Sequence, residues 1–493
     1  MNRRDFLKAG AIVGAGAAAA TAYALYGPGG IAKSTTQTGS TSTTNAGLQS
    51  RIDDPTVPQE YKDFLTWLQG ASAKYQGTKL NINLQSEPDY RALQSLDIDF
   101  YNASGINSQY DLEPYVINLE KTELAVQTGS PAIDIIDFDS LDIPTFKDNL
   151  IPPQTLADMY PDITYPGFDL SDFLPTPTNL IATYPPVLPD ASTPKGEVFC
   201  FPYNTPVMIR YYRTDIFSQL SLAPPGNDTW DDYYNDVISI GTHTNVYGCD
   251  SQASTTTPIF HEFTNHLYSF GGRFWDISGD TLTPTINDPV NVQALENFVR
   301  FYPYTLPNAL TNDWDGCVTD MAHGLAANAI TFEDYSVLID DPLRSIEVNN
   351  MGYSANPSGP SGSYSTYVGD GLGMSKFSKN QEAAWLWLQW ATATGTQMML
   401  VADNLTRYVP SRASALNSPF VQGIIATPTY YPVQLTEQIL ASGKVAYVPT
   451  FKGSDGPQAT IANAIYNAFV GTAGAQQALD QAQASVETST YTF

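Results

Sequence analysis

Leu80-Asn-Ile-Asn-Leu84 alternates apolar and polar side chains, the period of a half-buried strand, and it stops at Gln85-Ser86-Glu87-Pro88. A second run, Ile133 to Phe138, is apolar at Ile133, Ile135 and Ile136 and closes on acidic residues. Between them, Val116–Gln127 has helical spacing. Strand, helix, strand predicts an α/β domain. A chain of 493 residues is too long for one ordinary core, so the expectation is two lobes.

Further elements can be placed by their caps and periods. Thr229 precedes Trp-Asp-Asp-Tyr-Tyr, which puts a good N-cap and two acidic residues at a helix start. Gln293–Val299 and Ser378–Leu388 read as helices, and Ala459–Gln483 as two Ala-rich helices broken near Gly471–Gly474. Asp139 to Pro194 is rich in Pro, Asp and Tyr and reads as long irregular connections. Trp230, Trp385, Trp387 and Trp390 sit at apolar helical spacing and are read as packing.

The N-terminus says where the chain works. Asn2-Arg3-Arg4-Asp5-Phe6-Leu7-Lys8 and the uncharged run Ala9–Tyr26 form a twin-arginine export signal. The signal is either cut after Ala24 or retained as an anchor, the run being nearly long enough to span a bilayer. Gly14-Ala-Gly-Ala-Ala-Ala imitates a dinucleotide-binding turn, but no βαβ unit surrounds it. Residues 1–33 are thus read as signal or anchor, and 34–55 as a Ser/Thr-rich linker. The expected location is the outer face of the cytoplasmic membrane, the cell surface or the periplasm.

Composition excludes some partners. The net charge of −27 argues against nucleic acid and anionic membrane surfaces. Cys200, Cys249 and Cys317 lack metal-ligand spacing, and a Cys249–Cys317 disulfide is expected for an exported chain. Asn102, Asn227 and Asn404 lie in glycosylation triplets.

Five stretches in order carry a resemblance. Phe100-Tyr-Asn-Ala-Ser-Gly-Ile comes first. Phe201-Pro-Tyr-Asn and Arg210-Tyr-Tyr-Arg-Thr-Asp-Ile-Phe follow, with Thr229-Trp-Asp-Asp-Tyr. Leu267-Tyr-Ser-Phe-Gly-Gly, Leu372-Gly-Met-Ser-Lys-Phe-Ser-Lys-Asn-Gln-Glu-Ala-Ala-Trp and Tyr408-Val-Pro-Ser-Arg complete the set. Over roughly residues 78 to 485 the chain resembles family 1 extracellular solute-binding proteins of ABC transporters. It departs from them in a Pro-rich insert near 152–195, in Arg213 where Lys is usual, and in few tryptophans at sugar-stacking places.

The resemblance implies a two-lobed periplasmic-binding-protein fold with three hinge crossings, near 203–207, 366–374 and 407–414. Lobe one would be 56–204 with 372–409, and lobe two 205–371 with 410–493. It implies capture of a sugar or oligosaccharide in the interlobe cleft, delivery to the permease subunits of an ABC importer, a monomer, no cofactor, no metal and no catalysis.

A sugar needs hydroxyl acceptors and an aromatic platform, and in open α/β lobes ligands lie beyond the C-terminal ends of strands. That rule selects Ser86, Glu87, Asp139, Ser140, Tyr203, Asn204 and Asp370. The resemblance adds Phe332, Glu333 and Tyr335 after the apolar run Ala326–Ile330. Trp275, after two glycines, is a second platform candidate, and Arg407 lies at the third crossing.

Enzyme readings are weaker. His261-Glu-Phe-Thr-Asn-His266 places its histidines five apart, roughly 140° around a helix, so they do not share a face as a zinc-protease pair would. A glycosidase with an Asp/Glu pair, or a surface-layer or adhesion protein, stand as alternatives.

Overall fold

A computed structural model describes residues 41–255, 257–487 and 489–493. The export signal, and the tether up to residue 40, lie outside them. From Thr41 the expected linker is instead helix α1 (Thr41–Asp53), because Leu48 is buried in the first core and Arg51 pairs with Asp99 at 2.6 Å.

The first pass of the chain builds β1 (Lys79–Gln85), α2 (Pro88–Ser104), β2 (Asn107–Glu113), α3 (Tyr115–Gln127), β3 (Ile135–Asp139), β4 (Leu150–Ile151) and β5 (Phe201–Asn204). The next stretch builds β6 (Met208–Arg213), α4 (Trp230–His243), α5 (Thr257–Phe270), α6 (Trp314–Ala322), β7 (Asn328–Phe332), β8 (Met351–Ser354) and β9 (Ser365–Thr366). Then come β10 (Asp370–Ser375), α7 (Gln381–Ala391), α8 (Tyr431–Ser442), β11 (Val445–Ala446), α9 (Asp455–Phe469) and α10 (Ala475–Val486).

Two of the five sheets among the described residues organise the two cores. The first runs β2-β1-β3-β10-β4, with β5 also on β10. β1 is parallel to β2 and β3, whereas β10 runs antiparallel to β3, β4 and β5. One face buries Leu80, Ile82 and Leu84 against Trp385, Trp387 and Trp390 of α7, and the other buries Ile136 and Phe138 with Val126 of α3. The polar side of β1 is anchored too: Asn83 Nδ2 donates to Thr122 Oγ1 at 2.8 Å. The second sheet, β7-β6-β8, is antiparallel and lies in a core of its own with α4, α5, α9 and α10. Helix α4 starts as the sequence predicts: Thr229 and Asp232 form a reciprocal capping box.

The lobes are joined where the chain passes from one core to the other, β9 standing with β11 in a small sheet of the second core. Thr205-Pro206-Val207 carries β5 into β6, and 367–369 carries β9 into β10. Gly369 permits the second passage, since a Cβ there would lie 2.5 Å from the Asn204 carbonyl oxygen. The return at the C-terminal side comes later than the predicted 407–414. Ala415, Val421, Ile425 and Val433 pack in the first core, and Leu435 and Ile439, one turn further along α8, pack in the second. Apolar spacing alone does not say which of two cores such a face meets.

The expected Cys249–Cys317 disulfide is also corrected. Cys200, Cys249 and Cys317 are buried free thiols, held as small apolar side chains. Of the three glycosylation triplets, Asn227 and Asn404 are exposed. Asn102 lies on α2, against Gly47.

Candidate functional site

Strand ends from both lobes converge on one cavity. The first lobe contributes Gln85 and Glu87 after β1, Tyr115 at the start of α3, Asp139 at the end of β3 and Asp370 at the start of β10. The second contributes His261 of α5, Trp314 of α6, Phe332 at the end of β7, and Asp334 and Tyr335 in the turn after it. Pro206, Val368 and Gly369, from the two crossings, close the back.

The carboxylates are close because the sheet register makes them so. Asp370 stands opposite Asp139 across one antiparallel pair and opposite Asn204 across the other. Like charges directly opposite repel. Gln85 Nε2 donates to Asp370 Oδ1 at 3.0 Å, and Asn204 Nδ2 to Glu87 Oε2 at 3.1 Å. Asp139 accepts the Leu141 amide at 2.7 Å and the Ser140 hydroxyl at 3.1 Å. Burial first, then Asp370 and Asp334, push Glu87 well above the carboxylate range; burial, then Asp137 and Asp139, do the same to Asp370. Burial raises Asp139 to about 7 despite its hydrogen bonds.

Facing them is an aromatic wall. Trp314 lies 6.0 Å from Tyr115, 6.3 Å from Phe332 and 6.2 Å from the His261 ring, all between centroids. Both ring nitrogens of His261 and both carboxylate oxygens of Asp334 are buried with no side-chain partner, and the nearest favourable groups to Asp334 are the amides of its own turn. Burial keeps His261 neutral by lowering it to about 3.

Five of the residues selected from sequence meet here: Glu87, Asp139, Phe332, Tyr335 and Asp370. Asn204 is one step behind, on Glu87. Ser140 borders a neighbouring cavity with Leu180 and Tyr367. Tyr203 is fully buried in the first core, stacked on Tyr90 at 5.1 Å. Glu333 points into the hinge, where its carboxylate accepts the Val207 amide at 2.7 Å. Arg407 pairs with Asp340 at 3.1 Å and so ties a first-lobe loop to a second-lobe helix. Trp275 is buried between Phe451 and Tyr491.

Trp275 lines a larger cavity inside the second lobe. Its polar groups serve one another: Arg273 pairs with Asp190 at 2.8 Å and Tyr268 donates to the Tyr447 carbonyl at 2.7 Å. The interlobe cavity is smaller but holds polar atoms that lack partners, which makes it the candidate site.

Sequence reasoning missed Gln85, Tyr115, Trp314, Asp334 and His261. Asp313 before Trp314 is a helix-start signal of the same kind as Thr229 before Trp230, and Asp313 does accept the Gly316 amide. His261 was weighed for metal geometry alone; its partner in that motif, His266, instead stacks on Trp230 at 3.6 Å.

A cavity shared by two α/β lobes on crossing strands is the geometry of a solute receptor. The family model of bacterial extracellular solute-binding proteins matches residues 86–398. The chain belongs to that family. This solute-binding protein also matches the twin-arginine translocation signal at residues 1–20, so it is exported. Among the described residues no helix is long and apolar enough to cross a membrane.

The erythritol/L-threitol-binding protein of Mycolicibacterium smegmatis is 23% identical over 83% of this chain and 84% of its own. Two solved structures share the fold. The ribitol complex of an ABC transporter solute-binding protein from Agrobacterium radiobacter has a TM-score of 0.69 at 20% identity, covering 84% of this chain and 99% of that one. Maltose-bound MalE3 of T. maritima has a TM-score of 0.71 at 19% identity, covering 84% and 100%.

Proposed function

We propose that this solute-binding protein captures a polyol or small carbohydrate between its lobes and presents it, chemically unchanged, to the permease of an ABC importer. The observation that carries this reading is the pairing of Tyr115, Trp314 and Phe332 with Glu87, Asp139, Asp334 and Asp370 around one interlobe cavity. Sugar hydroxyls donate to carboxylates, and the C–H faces of the same molecule pack on rings. The named relatives, which bind erythritol or threitol, ribitol and maltose, support the same ligand class. Closure about the crossings at 205–207 and 367–369 would complete the site from both sides, the hinge motion of such receptors.

The test is calorimetry and thermal shift with erythritol, ribitol, mannitol, glucose and maltose. Saturable binding by one of them, with the ligand recovered intact by chromatography, is expected. Flat responses across that panel count against the reading, and new reducing ends would point to a glycosidase instead.

A further inference from the structure

Resting on the reading of the interlobe cavity as the capture site, the geometry points to a ligand that carries a positive charge: an aminated polyol or amino sugar rather than a neutral one. Four carboxylates line the cavity, Glu87, Asp139, Asp334 and Asp370. Asp137 stands immediately behind them and takes the Gln85 amide at 3.0 Å and the Asn118 side chain at 2.8 Å. Against these five acids the wall, among the described residues, presents no lysine or arginine. The buried guanidiniums of Arg210, Arg213, Arg407 and Arg412 are engaged with other acids, Asp228, Glu347, Asp340 and Asp172. Arg91 donates to Ser86 Oγ at 2.5 Å and bears electrostatically on Asp315.

The second, independent sign is Asp334. It is 2% exposed, lines the cavity, and neither carboxylate oxygen has a partner beyond the amides of its own turn. An unpaired buried carboxylate is costly, and the cost falls when a cation or a strong donor arrives. Neutral hydroxyls supply donors but no charge to offset Asp139 and its register partner Asp370 when both are ionised. A protonated amine supplies donors and charge together. The rings of Tyr115, Trp314 and Phe332 complete the fit, since an ammonium over an aromatic face is attracted to it.

The experiment uses matched pairs that differ by one amine: sorbitol against 1-amino-1-deoxy-sorbitol, and glucose against glucosamine, by calorimetry on the exported chain at low and high salt. The aminated member of at least one pair is expected to bind tenfold or more tightly than its neutral partner, with an advantage that shrinks as salt rises. Asp334→Asn, which keeps size and shape, is expected to cut that advantage at least fivefold, read as the ratio of the two affinities within each pair. Equal or tighter binding of the neutral members overturns this inference and leaves the polyol reading standing. If no member of either pair binds, and the neutral panel above is silent as well, both fall together.

Discussion

The ring of Tyr115 meets the indole of Trp314 edge-on, at 6.0 Å between centroids and 65° between planes, and the two residues belong to different lobes. Tyr115 starts the helix after β2, and Trp314 starts α6, which packs on β7. The contact joins the two walls of the cavity at its aromatic side.

Trp314→Ala is therefore expected to weaken ligand binding by about 2- to 13-fold, the 0.5–1.5 kcal/mol an aromatic contact contributes beyond its buried area, with the fold retained. Trp275→Ala should do the reverse. Its ring is 5% exposed and packed between Phe451 and Tyr491, so its loss costs about 3–5 kcal/mol of stability. Calorimetry and denaturant unfolding on both variants separate the two roles. An unchanged affinity in Trp314→Ala would remove that ring from the site.

Glu333 is the hinge acid. Its carboxylate accepts the Val207 amide at 2.7 Å while its own amide donates to the Val207 carbonyl at 3.2 Å. Glu333→Ala leaves a buried N–H without an acceptor and is expected to cost about 1–3 kcal/mol. Glu333→Gln retains the acceptor oxygen and should unfold close to the native midpoint in urea. Equal losses in the two variants would show that the hydrogen bond is not what holds the crossing.

Stability should peak at mildly acidic pH. Burial pushes Glu262, which accepts the Gln252 amide at 2.6 Å, up to about 8. The native state holds that proton more tightly than the unfolded chain. Its contribution is therefore fully present below about 4.5, the ordinary value, and is lost as pH rises through 8. His261 works in the other direction. Lowered from 6.5 to about 3, it resists protonation when folded, so stability is lost as pH falls across that window. Unfolding midpoints of the ligand-free protein measured from pH 3 to 9 should trace both limbs, and Glu262→Gln should flatten the alkaline one. A slope unchanged in that variant would assign the alkaline loss elsewhere.

The thiols offer a quick chemical check. Cys200, Cys249 and Cys317 are buried and unpaired, and burial raises each above the ordinary thiol value, so the reactive thiolate is scarce. Ellman's reagent should find almost no reactive thiol in the folded protein and three after unfolding in guanidinium without reductant. One reactive thiol after unfolding would restore a disulfide.

Much of the first lobe could be read directly. The alternation in Leu80–Leu84 places β1 within a residue or two of its ends, and the acidic residues after β1 and β3 mark where the sheet opens. Local patterns of this kind survive because a strand half-buried on one face leaves a two-residue period wherever it occurs. Trp314 was not legible in the same way. It lies on a short helix whose apolar spacing looks like packing, and its neighbours Phe332 and Tyr115 are respectively 18 and 199 positions away. Trp275 looked the better platform because it follows paired glycines, yet β-strand pairing and the C-terminal Tyr491 enclose it.

By itself the sequence determined the export route, the α/β grammar, the solute-receptor family and the carboxylates that end particular strands, all of which depend on neighbours within a few residues. Which aromatic rings face those carboxylates, that Asp139 and Asp370 stand opposite one another, and that Asp334 is left without a partner beyond its own turn were decided by tertiary structure. Such relationships depend on strand register and on how two lobes meet, and contacts between residues tens to hundreds of positions apart leave no period in the chain that makes them.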